Sequence, residues 1–182
     1  MTTIPNGPQS CAGPNSPDLA NPHKLISPVF GSRREAALHW YDYGFAVIPV
    51  LPNSKKPFLG WNPWLDDLSR VAIIKHWTRH RDHDVGFIVG NDTVVLDADA
   101  PQSVAALDAL EARFGIKPML VVKTSKGVHH YFRRAAETFA TPDSHSTAVH
   151  PDRIDVKTGR SMVILPPSPG KTIVSMGGCD AE

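Results

Sequence analysis

The run Val94-Val95-Leu96-Asp97-Ala98-Asp99 is the centre of the predicted fold, because it has the pattern of a buried strand that ends in two acidic residues. Alternation along a strand places Asp97 and Asp99 on the same face, roughly 6 to 7 Å apart. Two carboxylates at this separation repel each other, and next to an apolar core the repulsion is costly unless a cation lies between them. Because oxygen ligands favour hard divalent cations, the run predicts a site for Mg²⁺ or Mn²⁺. The alternative is a frayed strand end at which Asp99 caps the following helix.

The segment before this strand predicts a small α/β unit. A helix from Arg33 to Tyr43 is expected, since Ser32 can cap its start and Gly44 can end it. A buried strand follows from Phe45 to Val50, and a second helix runs from Ser69 to His80. The apolar residues that would form the buried face of this second helix are Val71, Ile74 and Trp77.

The rest of the chain predicts three antiparallel hairpins and one further helix. The predicted hairpins pair residues 85–89 with 94–99, 119–123 with 128–133, and 154–156 with 162–165. The helix begins at Pro101 and ends before Gly115, as is typical of proline at a helix start and glycine at its end. Its predicted core face consists of Val104, Leu107, Leu110 and Phe114. With a last strand at 171–176, this order predicts an α+β fold with a mixed, mostly antiparallel sheet.

A third acid, Asp155, lies between Ile154 and Val156 in a short predicted strand. Alternation makes it face away from these two apolar neighbours. If its strand lies beside the strand of Asp97, three carboxylates converge, which is the ligand set of a two-metal phosphoryl-transfer site. The alternative is a solvated acid on an amphipathic edge strand.

The run Gly127-Val128-His129-His130 is the next candidate. Alternation sends His129 and His130 to opposite faces, so that only one of them can serve a given site. Gly127 allows the backbone to pass close to a ligand, and a histidine beside the Ser125-Lys126 turn can donate to a triphosphate oxygen. The alternative is a structural histidine.

Several basic and aromatic residues are candidates for contacts with phosphates and bases. Lys55 and Lys56, in a turn-rich loop, can neutralise triphosphate or template phosphates. Arg79 and Arg81 give the end of the second helix a basic character suited to single-stranded DNA, and Trp61 can stack on a base. The alternatives are solvated basic side chains and a core tryptophan.

The overall composition excludes several classes of protein. Hydrophobic residues make up 41% of the 182 residues, and the net charge is +1, so nucleic-acid binding requires a local basic patch. The two cysteines, Cys11 and Cys179, have no metal-ligand spacing, so no zinc is predicted. There is no signal peptide and no membrane-spanning run, and a cytoplasmic protein without membrane contact is expected. We predict a Pro-rich leader at 1–30, a catalytic domain at 31–178 and a tail at 179–182.

The motifs taken together resemble the N-terminal domain of bifunctional primase-polymerases, a family of the archaeo-eukaryotic primase superfamily. The resemblance covers Arg33 to Met176. It begins with the run from Ala36 to Val50, continues with Lys55-Lys56-Pro57 and Trp61, and ends with an apolar strand followed by Pro-Pro-Ser. Three motifs occur in the family's order between these ends. They are acid-x-acid at Asp97 and Asp99, small-x-His at Gly127-Val128-His129, and hydrophobic-Asp at Ile154-Asp155.

This resemblance implies the archaeo-eukaryotic primase fold, in which an α/β unit precedes a catalytic subdomain similar to an RNA-recognition motif. It also implies metal binding by Asp97, Asp99 and Asp155, and contact of His129 with the incoming nucleotide. His130 takes an apolar position of the family, and Lys157, at a position where arginine is frequent, is a nucleotide-binding candidate. The implied partners are single-stranded DNA, nucleoside triphosphates and a replicative helicase in cis or in trans.

The expected function is therefore template-directed nucleotidyl transfer, either primer synthesis or DNA polymerisation, in the replication of a plasmid, phage or mobile element. Two alternatives remain open from the sequence. One is a metal-dependent nuclease or nicking enzyme, although nicking enzymes use two histidines separated by one residue. The other is a catalytically silent module that binds single-stranded DNA.

Overall fold

The structure is a computed structural model that describes residues 28–134, 147–148, 153–159 and 161–177. The predicted tail and most of the predicted leader fall outside these residues. The described part contains four helices: α1 (Arg33–Asp42), α2 (Trp61–Asp66), α3 (Arg70–Arg79) and α4 (Pro101–Phe114). It also contains nine strands: β1 (Val47–Val50), β2 (Asp84–Ile88), β3 (Thr93–Ala98), β4 (Leu120–Lys123), β5 (Val128–Arg133), β6 (Thr147–Ala148), β7 (Ile154–Lys157), β8 (Met162–Leu165) and β9 (Thr172–Met176).

The strands form two antiparallel sheets, which confirms the predicted α+β class. The small sheet has the order β1-β2-β8, and the large sheet has the order β6-β7-β3-β5-β4-β9. The strand that carries the two acids, β3, thus lies inside the large sheet between β7 and β5.

Local signals explain where the helices begin and end. Ser32 and Ser69 accept hydrogen bonds from the backbone N–H groups of the first turns of α1 and α3, as expected for N-caps. Gly115 ends α4 with φ +64°, a left-handed conformation in which a side chain would be strained. Helix α2 was not predicted, because its six residues are too few to show an apolar period.

The two faces of the large sheet have different partners. Val95 and Tyr131, on one face, belong to the main core, together with α1, α3 and the small sheet. Ala98 and Ile154, on the other face, pack with Leu107 of α4 in a second cluster. The large sheet therefore lies between α4 and the N-terminal unit.

Two of the three predicted hairpins are wrong. Strands β4 and β5 form the predicted hairpin around residues 125–127. However, β2 and β3 belong to different sheets, and so do β7 and β8. Strand β2 pairs with β1 and β8, and β3 pairs with β5 and β7. All five residues of β2 are buried in this central position of the small sheet. Each of the two short connections therefore leads from one sheet to the other.

The predicted buried faces of two helices also need correction. In α3, Val71 is 74% exposed and Ile74 is 42% exposed, whereas Ile73, His76 and Trp77 are buried. The true face has the i, i+3, i+4 spacing, and the prediction missed it because it treated His76 as polar. In α4, Leu107 is buried but Phe114 is 64% exposed, since it lies in the last turn, away from the cluster around Leu107.

In the described part of the chain, the helices fall short of the length and apolar character that crossing a membrane demands.

Candidate active site

Three strands of the large sheet bring Asp97, His129 and Asp155 together in one row. Asp97 on β3 is the direct partner of Asp155 on β7 and of His129 on β5. Directly opposed residues of antiparallel strands project from the same face, with Cβ atoms about 4.5 to 5.5 Å apart. This is the face that carries Val95 and Tyr131, so the row borders the main core.

Asp97 is mostly buried and lies close to two cationic or ionisable groups. The Nε2 atom of His129 is 3.2 Å from its Oδ1, and the Nζ atom of Lys157 is 3.3 Å from its Oδ2. Burial acts to raise the pKa of Asp97, but the contacts with His129 and Lys157 outweigh it and lower the pKa to about 2. Asp97 is therefore a carboxylate at any physiological pH.

Lys157 lies between the two acids of this row. Its Nζ atom donates to Oδ2 of Asp155 at 2.9 Å as well as contacting Asp97. Burial acts to lower the pKa of Lys157, but its contacts with Asp155 and Asp97 prevail and raise it. A positive charge thus already lies where two carboxylates would otherwise repel each other.

A cavity of about 770 Å³ opens beside this row and carries charges of both signs. Asp97 and the exposed Asp99, which follows the end of β3, both line it. Four lysines also line it: Lys55, Lys126, Lys157 and Lys171. Asp84 lines it as well. Its volume and its four lysines suit a polyanionic ligand of nucleotide size.

The turn from Ser125 to Gly127 forms one wall of the cavity. The side-chain oxygen of Thr124 accepts hydrogen bonds from the backbone N–H groups of Lys126 and Gly127, at 3.2 and 3.0 Å. These two N–H groups thus hold the turn in place, so that Ser125 and Lys126 offer their side chains to the cavity. A Cβ atom at Gly127 would lie 1.9 Å from the carbonyl oxygen of Ala98, which explains the glycine at this position.

The structure also places residues in the cavity that sequence reasoning missed. Lys171 follows the turn after β8, and it is half-buried near Asp97, Asp99 and Lys55. Its pKa is lowered, mainly by burial and also by Lys55, with Asp97 and Asp99 opposing the shift. A lysine next to a glycine in a turn has no distinctive pattern, so Lys171 could not be recognised from the sequence.

The remaining sequence candidates lie away from this cavity. Arg79 and Arg81 are exposed at and just after the end of α3, and each lines a different, smaller cavity. Trp61 begins α2 and packs partly against the main core. Lys56 is exposed next to Lys55. Of the residues expected to contact DNA or its phosphates from this part of the chain, Lys55 lines the cavity, whereas Lys56, Trp61, Arg79 and Arg81 do not.

His130 faces the opposite side of the sheet from His129, as alternation predicted. Its Nδ1 atom contacts the carboxylate of Glu111 on α4. Together with the exposed Asp108, these two residues form a group whose ligand atoms lie within 4.8 Å of one another. In the described part of the chain, the acids at 97, 99 and 155 do not reach this mutual distance.

The row of Asp97 fits a divalent cation on the chemistry of its donors. Oδ1 of Asp97 is buried and, within the described residues, has no hydrogen-bond partner, because the approach of His129 lacks hydrogen-bond geometry. A buried carboxylate oxygen without a partner is costly unless a cation satisfies it. Asp97, Asp99 and Asp155 provide the oxygen ligands that Mg²⁺ and Mn²⁺ prefer.

Comparison with known protein families gives one match to the chain. A family model described as "Bifunctional DNA primase/polymerase, N-terminal" matches residues 37–175, well over half of the 182 residues. The matched range begins in α1 and ends in β9, so it includes both sheets and the cavity between them. A search of curated proteins found none that matches.

Proposed function

Because the chain belongs to the bifunctional DNA primase/polymerase N-terminal family, we propose that it adds nucleotides to a growing strand on a single-stranded DNA template. The family accounts for primase or polymerase activity in general. The finer proposal is that transfer occurs in the cavity beside Asp97. The observation that supports it most is the register that sets Asp97 opposite both Asp155 and His129.

Asp97, Asp99 and Asp155 are the residues that would hold divalent ions. When bound, such ions supply charge neutralisation at the attacking 3′-hydroxyl and at the pyrophosphate leaving group. Asp97 is ready for this role at neutral pH, because its lowered pKa keeps it ionised. The exposed Asp99, which directly follows β3, lines the cavity and would be the third ligand.

The lysines of the cavity would bind the triphosphate of the incoming nucleotide. Lys55, Lys126 and Lys171 lie on three different loops or turns around the cavity, so they can neutralise a polyanion from several sides. His129, buried against Asp97, would orient that carboxylate and donate to a phosphate oxygen. Ser125 offers a hydroxyl from the same turn as Lys126.

The setting of the reaction is a further part of the proposal. We propose replication of a plasmid, phage or mobile element, with a replicative helicase acting in cis or in trans. This part rests on the family resemblance alone.

Incorporation of labelled nucleotides tests the proposal. A primed single-stranded template is incubated with the full chain, deoxyribonucleotides or ribonucleotides, and Mn²⁺ or Mg²⁺. We expect extension by the wild type and a loss of at least about a hundredfold in Asp97→Asn, because a metal ligand and its charge are removed. Asp108→Asn, the same change on the opposite face of the sheet, is the matched control and should extend normally.

Three other outcomes would contradict the proposal. Normal extension by Asp97→Asn would show that the reaction does not need Asp97 as a metal ligand. Loss of extension in Asp108→Asn alone would assign the metal site to Asp108, Glu111 and His130 instead. Nicking of circular DNA without nucleotide addition would favour a nuclease, although His129 and His130 lie on opposite faces of β5.

A further inference from the structure

A second cavity, of about 470 Å³, lies between helix α3 and the segment that leads into α2. Four aromatic side chains line its walls: Phe58, Trp64, His76 and His80. The basic side chains of Lys75 and Arg79 line it as well, with one acid, Asp67. Aromatic rings next to cations are the combination that binds unpaired bases and their phosphates.

The rings around this cavity are held in place by one another. The ring of Phe58 lies 4.6 Å from that of His83 and 4.9 Å from that of His80, measured between centroids. Trp64 contacts His76 edge-on at 5.3 Å. His76 and His83 share a hydrogen bond of 3.1 Å between their ring nitrogens. A ligand would thus meet a surface that is already ordered, which lowers the entropic cost of binding.

Two histidines that pack against Phe58, His76 and His83, are held as uncharged rings at neutral pH. Burial lowers the pKa of His76 to about 4, and the neighbouring His83 and His80 add to the shift. The pKa of His83 is lowered too, mainly by burial. At neutral pH the buried wall is therefore aromatic and neutral, and the fixed positive charges of the cavity come from Lys75 and Arg79.

Phe58 is partly exposed, although its ring contacts three histidine rings. It is 36% accessible, and the adjacent Leu59 is 44% accessible. The backbone beneath it is firmly held, since the N–H of Phe58 donates to the carbonyl of Pro49 at 2.9 Å and Pro57 forms a β-bridge with Val50. Phe58 thus offers part of its ring to solvent from a fixed backbone.

The same loop connects this cavity with the candidate active site. Lys55 lines the active-site cavity, and Phe58, three residues later, lines the second one. Three residues span at most about 11 Å between their Cα atoms. A nucleic-acid strand that passes the backbone of Lys55 is therefore within about 11 Å of the backbone of Phe58.

We propose that this second cavity binds an unpaired base of the single-stranded template, stacked on Phe58, with the adjacent phosphate neutralised by Lys75 and Arg79. The inference rests on the proposed function, because it takes the polymer to be the template. It assigns template binding to a surface outside the catalytic row, on the far side of the Lys55 loop. Base stacking without base-specific hydrogen bonds makes this binding tolerant of sequence.

Equilibrium binding of fluorescently labelled oligothymidylate to the full chain tests this inference. The Asp97→Asn background is used, so that the result does not depend on catalysis. We expect Phe58→Leu to raise the Kd about tenfold, because leucine keeps the packing volume but has no ring to stack on a base. Phe58→Tyr, which restores a ring, should bind as the parent does. Phe114→Leu, at another exposed phenylalanine, is the matched control and should change nothing.

Two further measurements separate the base from the phosphate. On an oligonucleotide with abasic sites, the difference between the parent and Phe58→Leu should vanish. In a salt titration, Lys75→Gln and Arg79→Gln should each reduce the slope of log Kd against log salt, and the double variant should reduce it by about 0.7, the value for one phosphate contact on a single strand.

Equal affinity of Phe58→Leu and the parent for oligothymidylate would overturn the inference, as would an undiminished difference on the abasic strand. Failure of the proposed function would be seen separately, as absence of nucleotide incorporation by the wild type while the Phe58 dependence of binding persists.

Discussion

Asp97 on β3 and Asp155 on β7 face each other directly in the antiparallel register, and the ammonium group of Lys157 contacts both carboxylates. In most sheets, like charges at directly opposed positions are destabilising. Here Lys157, which lies on β7 two residues after Asp155, offsets the repulsion between the two carboxylates. The pair of acids and the lysine therefore form one electrostatic unit, and a change in any member alters the other two.

Replacing Lys157 by methionine should make the stability of the protein depend on divalent ions. Without the ammonium group, Asp97 and Asp155 repel each other, and we expect a loss of about 1 to 2 kcal/mol in metal-free buffer, since the group is only partly exposed. Added Mn²⁺ should restore much of this loss. Thermal unfolding with and without Mn²⁺ measures the effect, and Lys126→Met, at an exposed lysine, is the control. Equal Mn²⁺ shifts in wild type and Lys157→Met would show that the lysine and the ion do not share these carboxylates.

The folded state should lose stability in mildly acidic buffer because of His76. Its pKa is lowered from 6.5 to about 4 on folding, so the unfolded state binds more protons as the pH falls. The contribution of neutral His76 to the free energy of unfolding is fully present above pH 6.5 and is lost as the pH falls from about 6.5 to 4. We expect this loss to be about 1 to 2 kcal/mol, because the ring is partly accessible to solvent. Urea unfolding between pH 8 and 4.5 measures this slope. In His76→Gln the slope should be smaller but still present, since His83 shifts in the same direction. A stability that does not change between pH 7 and 5 would contradict the buried, neutral state of His76.

Gly127→Ala should be strongly destabilising. The added Cβ atom would lie 1.9 Å from the carbonyl oxygen of Ala98, so β3 and β5 would have to separate at the edge of the active site. We expect a loss of about 3 kcal/mol or more. Gly115→Ala is the control: its site is open but has φ +64°, and a cost of about 1 kcal/mol is expected. The free energy of unfolding in urea measures both, and similar costs for the two variants would disprove the close approach at Gly127.

Leu107 and Phe114, two of the four residues predicted for the core face of α4, should differ sharply in their contribution to stability. Leu107→Ala should cost about 2 to 5 kcal/mol, because Leu107 is fully buried between α4 and the sheet. Phe114→Ala should cost less than about 0.5 kcal/mol, because Phe114 is 64% exposed. Chemical denaturation measures both changes. A large loss in Phe114→Ala would restore the sequence-based assignment of this residue to the core.

The sequence was most informative about features that depend on residues close together in the chain. Alternation correctly placed His129 and His130 on opposite faces, and the turn at 125–127 correctly identified the β4–β5 hairpin. The caps at Ser32 and Ser69 located two helix starts to within one residue. In each case, the hydrogen bond or side-chain direction involves residues that are near neighbours in the chain.

The sequence was least informative where the partner is distant. Strand β2 was expected to pair with β3, five residues later, but its partner β8 lies more than seventy residues further along. Local patterns contain no information on that choice, which depends on how the two sheets bury their faces together. For the same reason, nothing in the sequence indicated that Lys171, on the turn before β9, would lie beside Asp97 and Asp99.

The pairing of β2 with β8 has a consequence for the order of events during synthesis. The N-terminal unit emerges from the ribosome early, yet its sheet lacks one of its three strands until residue 165 has been made. The large sheet likewise waits for β7 before Asp97 has its neighbour. The small sheet is completed only by β8 and the large sheet only by β9, which ends at Met176, so the nascent chain is expected to reach its native state late in synthesis rather than unit by unit.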